Sequence, residues 1–177
     1  MTDRISIRTF VYDTGVCRKG SVLMPIEAIE RMSHKARVFT TIEGSLEFHI
    51  GSVPILTNES LPMGYIDRWW EEGLTAVADL LALRSTSWRL PGKDCWVEIE
   101  IVPGTRGARV WAQLSEDRGG EPHSATAECR VPELAEAMLD EAERFFVWHG
   151  AMNVRSGTDV NLAKVWELRR APAPWRT

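Results

Sequence analysis

The sequence lacks the features that identify a secreted, membrane-spanning or nucleic-acid-binding protein. Its three cysteines show no CxxC spacing, which favours a reducing compartment and no disulfide framework. Its apolar runs are much shorter than a membrane span, and residues 1–7 carry charge instead of an apolar signal-peptide block. With 21 basic and 25 acidic residues, the chain has no basic footprint for nucleic acid. We therefore expect a cytoplasmic protein that binds neither a membrane nor a nucleic acid.

Catalytic and metal-binding motifs are also missing. No GxSxG elbow is present, and the histidines form no HxH, HxxxH or HExxH unit. The four histidines are His34, His49, His123 and His149. Asp13-Thr14-Gly15 match the motif around an aspartic-protease carboxylate, but a single copy would need a homodimer, and these residues equally favour a turn. We expect no catalytic residue, no cofactor and no metal ion. A site formed by residues that lie far apart in the sequence stays an open alternative.

The length and composition predict one globular domain. The chain has 177 residues, of which 44% are hydrophobic and 26% charged, so it can bury a core of useful size. We expect a single α+β domain over residues 1–177. Pro172 and Pro174 predict an irregular tail at about residues 171–177.

Alternating apolar and polar residues predict a four-stranded antiparallel meander. Its strands should lie near residues 88–90, 95–102, 108–114 and 125–131. Matching the apolar faces of the two middle strands fixes their register. Ile99 should then lie opposite Val110, and Glu100 should lie opposite Arg109. Further strands are predicted in the N-terminal half, near residues 5–11, 38–42, 46–50 and 53–55, with a bulge at Gly51.

Two longer segments have the periodicity of amphipathic helices, at about residues 65–83 and 132–150, and a shorter helix is predicted near 162–169. The apolar stripe of the first helix consists of Ile66, Trp70, Leu74, Val77 and Leu81. Asp67 falls on the face expected to be exposed. Gly73 costs about 1 kcal/mol relative to alanine in a helix, so another element is expected to approach closely there. The predicted fold is α+β, with an antiparallel sheet, formed by the N-terminal strands and the meander, packed against two main helices.

Two surfaces are the candidate partner-binding sites. Eight tryptophans are the compositional oddity, and Trp96 and Trp111 should project from the outward face of the meander beside Glu98 and Glu100. The second helix has an acidic stripe on the side opposite its apolar face. The stripe consists of Glu133, Glu136, Asp140 and Glu143. Simpler interpretations stay open for both: another element covers the tryptophans, or the stripe is only the solvated side of a helix.

The order of elements between residues 46 and 150 resembles that of small bacterial immunity proteins, which neutralise polymorphic or contact-delivered toxins. A strand ends at residues 51–56, a helix contains Trp69 and Trp70, and the meander follows. Pro132-Glu133-Leu134 open the next helix, and residues 145–148, Phe-Phe-Val-Trp, lie at its end. The resemblance implies a cytoplasmic α+β protein without catalytic activity that binds one cognate protein toxin.

We therefore expect a non-catalytic binding protein that occludes a toxin's active site. The alternative is an enzyme or small-ligand-binding protein that uses Glu98 and Glu100 for acid/base chemistry and Trp96 and Trp111 for stacking. A structural subunit of a larger assembly is a third possibility. The sequence leaves open the partner's identity and the oligomeric state.

Overall fold

Two antiparallel sheets and three α-helices make up the part of the chain described by a computed structural model, residues 4–29, 42–57, 64–89, 95–114, 125–152 and 158–176. The strands are β1 (Ile5–Tyr12), β2 (Leu23–Pro25), β3 (Glu43–Ile50), β4 (Val53–Leu56), β5 (Gly64–Tyr65), β6 (Thr86–Arg89), β7 (Cys95–Ile101), β8 (Gly107–Leu114) and β9 (Thr126–Arg130). The helices are α1 (Ile66–Leu81), α2 (Val131–Ala151) and α3 (Thr158–Arg170). The α+β class is confirmed. The strands form two sheets instead of one, and the shorter third helix also packs on the domain.

The second sheet is the predicted meander, with the strand order β6-β7-β8-β9. Its register is the predicted one, since Ile99 pairs with Val110 and Glu100 pairs with Arg109. The apolar side chains of its strands face the core, where Cys95, Val97 and Ile99 are buried. The period-two pattern and the need to bury one face thus determined both the pairing and the orientation.

The first sheet has the order β2-β1-β3-β4, and β5 also pairs with β3. The predicted strand at residues 38–42 lies outside the described residues, except for its last residue, which precedes β3. Gly51 does not form a bulge: it lies in the turn between β3 and β4 with φ +60°, a conformation that glycine adopts readily. The irregularity in pairing falls between Phe48 and His49 instead.

Helix α1 buries its predicted apolar stripe together with a cluster of three tryptophans. Trp69, Trp70 and Trp88 are fully buried, and the Trp88 ring lies 5.0 Å from each of the other two. The Trp88 ring also lies against Gly73, where a Cβ atom would come within 3.0 Å of it. The close approach expected at Gly73 is therefore confirmed, and its partner is a side chain from β6.

Asp67 was predicted to be exposed, and this is wrong. Its carboxylate is buried at the start of α1 and accepts a hydrogen bond of 3.3 Å from the Ile42 N–H. Burial raises the pKa of Asp67, although backbone N–H groups oppose the shift. Helical periodicity places Asp67 on the exposed face. Its burial has another cause, since the free backbone N–H groups at the start of a helix attract a carboxylate.

Glu141 on α2 is a buried carboxylate that ties three elements together. It accepts a 2.8 Å hydrogen bond from the backbone N–H of Thr9 in β1 and forms a 2.9 Å ion pair with Arg144. The hydroxyl of Thr9 in turn accepts a 3.1 Å hydrogen bond from the Trp70 indole of α1. Burial raises the pKa of Glu141, and the hydrogen bonds from Thr9 and the charge of Arg144 act against this. The network fixes how α2 lies on the first sheet.

Within the described ranges, no helix is both long and apolar enough to span a membrane.

Replacing Gly73 with alanine should destabilise the protein by about 1–3 kcal/mol, despite alanine's better helix propensity. Trp88 cannot give way, because its indole donates a 2.7 Å hydrogen bond to the Trp69 carbonyl inside the core. Gly150→Ala in α2 is the matched control, since residue 150 is exposed. Urea unfolding of both variants measures the effect. Equal or greater stability of Gly73→Ala would show that the ring is mobile.

Candidate partner-binding surfaces

The predicted outward face of the meander is observed. Trp96 and Trp111 are half-buried and lie on the side of the sheet opposite Val97 and Ala112, which are buried in the core. We call this surface the outer meander face and define it by Arg89, Trp96, Glu98, Glu100, Arg109, Trp111, Glu128 and Arg130. All four meander strands therefore present polar or aromatic side chains on one surface.

Two arginines of the outer meander face contact side chains on neighbouring strands. The Arg109 guanidinium lies between Glu100, at 3.3 Å, and Glu128, at 3.4 Å. The Arg89 guanidinium stacks over the Trp96 ring, 5.7 Å from its centroid. The face carries three glutamates and three arginines, so it combines aromatic groups with balanced formal charge. The sequence analysis named Glu98, Glu100 and the two tryptophans of this face and placed Arg109 opposite Glu100. It did not identify Glu128 or assign any of the arginines to a binding surface.

The acidic stripe of α2 meets a basic side chain of the same protein. One guanidinium, that of Arg169 on α3, lies 2.7 Å from Asp140, 2.8 Å from Glu143 and 3.4 Å from Glu136. The Trp166 indole donates a further hydrogen bond of 3.0 Å to Glu143. This hydrogen bond, followed by Arg169, lowers the pKa of Glu143. The stripe is therefore the docking surface of α3, a role that the sequence analysis did not assign.

The C-terminal segment after α3 adds a second arginine to the stripe. Residues 171–176 contain neither helix nor strand, and Arg176 lies 2.6 Å from Glu136. The same Arg176 side chain donates hydrogen bonds to the carbonyls of Leu168, Arg169 and Ala171 at the end of α3. Arg106, between β7 and β8, donates to the Pro174 carbonyl at 3.1 Å. The segment is thus held against both α2 and the meander.

The stripe is not fully covered by these contacts. Glu136 stays 45% exposed and Asp140 65% exposed, so part of the carboxylate surface still faces solvent. Glu133 forms its 3.5 Å ion pair with Arg130 of the outer meander face. The two predicted surfaces therefore meet where β9 passes into α2. Binding of a partner by either surface stays a prediction.

The alternative of an enzyme or ligand-binding site requires a cavity at Trp96 and Trp111. A surface cavity of about 520 Å³ lies elsewhere, along α3, and none of the eight predicted partner-binding residues lines it. Its lining consists of Ala163, Trp166, Glu167, Arg170, Ala171 and Pro172. Across the described ranges, no group of three or more His, Cys, Asp or Glu side chains is placed to hold a metal ion.

Comparisons with known proteins add no relative. No family model, no curated protein and no solved structure matches this chain. The two surfaces and the residues that shape them are the features that bear on its function.

Arg169→Gln should loosen α3, because three carboxylates would lose their shared cation. We expect amide exchange in α3 to become about tenfold faster, corresponding to about 1 kcal/mol, with β7 and β8 unchanged. Lys164→Gln is the matched control, since Lys164 lies on the same helix but forms no ion pair with another described residue. Hydrogen exchange read by mass spectrometry gives the comparison. Equal α3 protection in the two variants would rule out the ionic docking.

His149 should make the stability depend on pH. It is buried, stacks on Phe145 at 5.4 Å as its place on the apolar face predicts, and burial lowers its pKa to about 4. The unfolded pKa is near 6.5, so the unfolded chain binds more protons between these values, and stability falls as pH falls through this window. The loss should reach about 3 kcal/mol relative to His149→Gln. Asp67 and Glu141 titrate in both proteins, so the difference isolates His149. Parallel stability curves would contradict its buried neutral state.

Proposed function

We propose that the protein is a non-catalytic binding protein of the immunity type, which neutralises a cognate bacterial toxin in the cytoplasm by occluding its active site. The outer meander face is the surface that carries this proposal. It presents two half-buried tryptophans, Trp96 and Trp111, which do not belong to the hydrophobic core. The resemblance in element order between residues 46 and 150 supplies the class of partner.

The composition of this face suits a protein partner. Tryptophan and arginine are enriched among the residues that dominate binding energy in protein interfaces. Before binding, Arg109 is held by its two ion pairs, and Arg89 and Trp96 are held by their mutual stacking. Less conformational entropy is then lost on association, which favours affinity.

The charge balance of the face indicates what the toxin surface should look like. Three glutamates and three arginines fit a surface with an apolar centre and mixed charges around it. The carboxylates still exposed on the α2 stripe, Glu136 and Asp140, lie beyond this patch. Together with Glu133 and Glu143 they would attract basic groups of the toxin and accelerate encounter.

The test is binding of the double variant Trp96→Ser/Trp111→Ser to the toxin encoded beside this gene. Binding should weaken at least about tenfold, because the variant loses both aromatic anchors, and co-expressed cells should lose protection. Calorimetry measures the affinity, and circular dichroism checks that the variant is folded.

Tyr65→Ser is the matched control, because Tyr65 is also partly exposed but lies in β5, away from both surfaces. It should bind the toxin as the parent does. The proposal fails if no neighbouring toxin binds the parent protein, or if the double variant binds as tightly as the control.

A further inference from the structure

Helix α3 has an exposed face that no described element covers. The face opposite its buried residues, Val165 and Leu168, carries both apolar and charged side chains. We call it the α3 outer stripe and define it by Val160, Ala163, Trp166, Glu167 and Arg170, which are all exposed. Val160 is 73% exposed and Trp166 45% exposed, high values for large apolar side chains. The stripe therefore offers two large apolar side chains, together with two charges, to a partner.

Trp166 is held rigidly beside a cavity. Its indole N–H donates to Glu143 on α2, so the ring is fixed although much of it faces solvent. The cavity of about 520 Å³ next to it has apolar walls formed by Ala163, Ala171 and Pro172. A fixed, exposed aromatic ring beside an apolar concavity has the arrangement of an interface anchor and its receiving site.

The two charges of the stripe distinguish it from the rest of α3. Arg169 is shared among three carboxylates, but neither Glu167 nor Arg170 forms an ion pair with another described residue. They have opposite signs and lie three residues apart on the exposed face. The stripe is therefore locally neutral. When a second copy of it runs antiparallel, the acidic residue of each copy lies opposite the basic residue of the other.

We propose that the α3 outer stripe binds the same stripe of a second copy of this chain, with the two α3 helices antiparallel about a two-fold axis. An axis between Glu167 and Arg170 sets Glu167 of each copy against Arg170 of the other. The same axis brings each Trp166 to the Ala171–Pro172 wall of the other copy's cavity. Two-fold symmetry requires each contact to occur twice: a residue of the first copy meets a partner on the second copy, and the same two residues meet again with the copies interchanged.

The contact is small, because it uses one face of a 13-residue helix and the start of the tail. Interfaces at the low end of the size range form weak, transient complexes. The dimer is accordingly concentration-dependent. It shares no residue with the outer meander face, so it stands independently of the proposed function.

Sedimentation velocity of the full chain over a concentration series tests the proposal. The parent protein is expected to shift from monomer to dimer as concentration rises. Glu167→Arg and Arg170→Glu should each weaken the dimer about tenfold or more, because like charges then face each other. The double variant Glu167→Arg/Arg170→Glu should restore it, because the pair is exchanged but still complementary.

Trp166→Ala should also weaken the dimer, and Tyr65→Ala is the matched control. Tyr65 is 46% exposed, close to the 45% of Trp166, but lies in β5, immediately before α1. A parent that stays monomeric at every concentration overturns the proposal. So does a dimer that persists in the single charge variants, one that the double variant fails to restore, or one equally sensitive to Tyr65→Ala.

Discussion

The buried carboxylate of Glu141 is the constraint on which the placement of α2 depends. An ionised carboxylate with little contact with water is costly unless it is compensated by hydrogen bonds and an opposite charge. The Thr9 N–H and the Arg144 guanidinium provide both. Because one of these partners is backbone of β1, the helix can satisfy Glu141 in only one orientation on the first sheet. A buried charge thereby selects one arrangement of α2.

The orientation of α2 decides where the remaining charges of the helix go. With Glu141 inside, the acidic stripe points away from the sheets, and α3 docks there through Arg169. Val165 and Leu168 are buried on the inner side of α3. The opposite side of α3, with Trp166 and Arg170, is consequently left facing outward. One buried group thus determines, through two helices, which surface is available to a partner.

The sequence predicted the meander well because its strands obey one simple rule. Period-two alternation identified the buried face, and burial of that face permits a single register, in which Ile99 meets Val110. Helical periodicity also located the stripe of α2. It did not predict burial of Asp67, which depends on the Ile42 backbone, or the docking of α3. Arg169 lies 26 residues from Glu143, and only the tertiary fold brings them together.

The two exposed surfaces differ in a way that bears on function. On the outer meander face, Arg109 is neutralised by its own sheet neighbours, so Trp96 and Trp111 are the side chains that this face offers to the proposed partner. On the α3 outer stripe, Glu167 and Arg170 have no such neighbours among the described residues, so opposite charges must come from the partner. Contacts made by the outer meander face itself should therefore depend little on salt, and salt should act there mainly through the neighbouring carboxylates of the α2 stripe. Association at the α3 outer stripe should weaken directly as salt screens Glu167 and Arg170. The two faces share no residue, so the charge variants of the α3 outer stripe leave every side chain of the outer meander face in place.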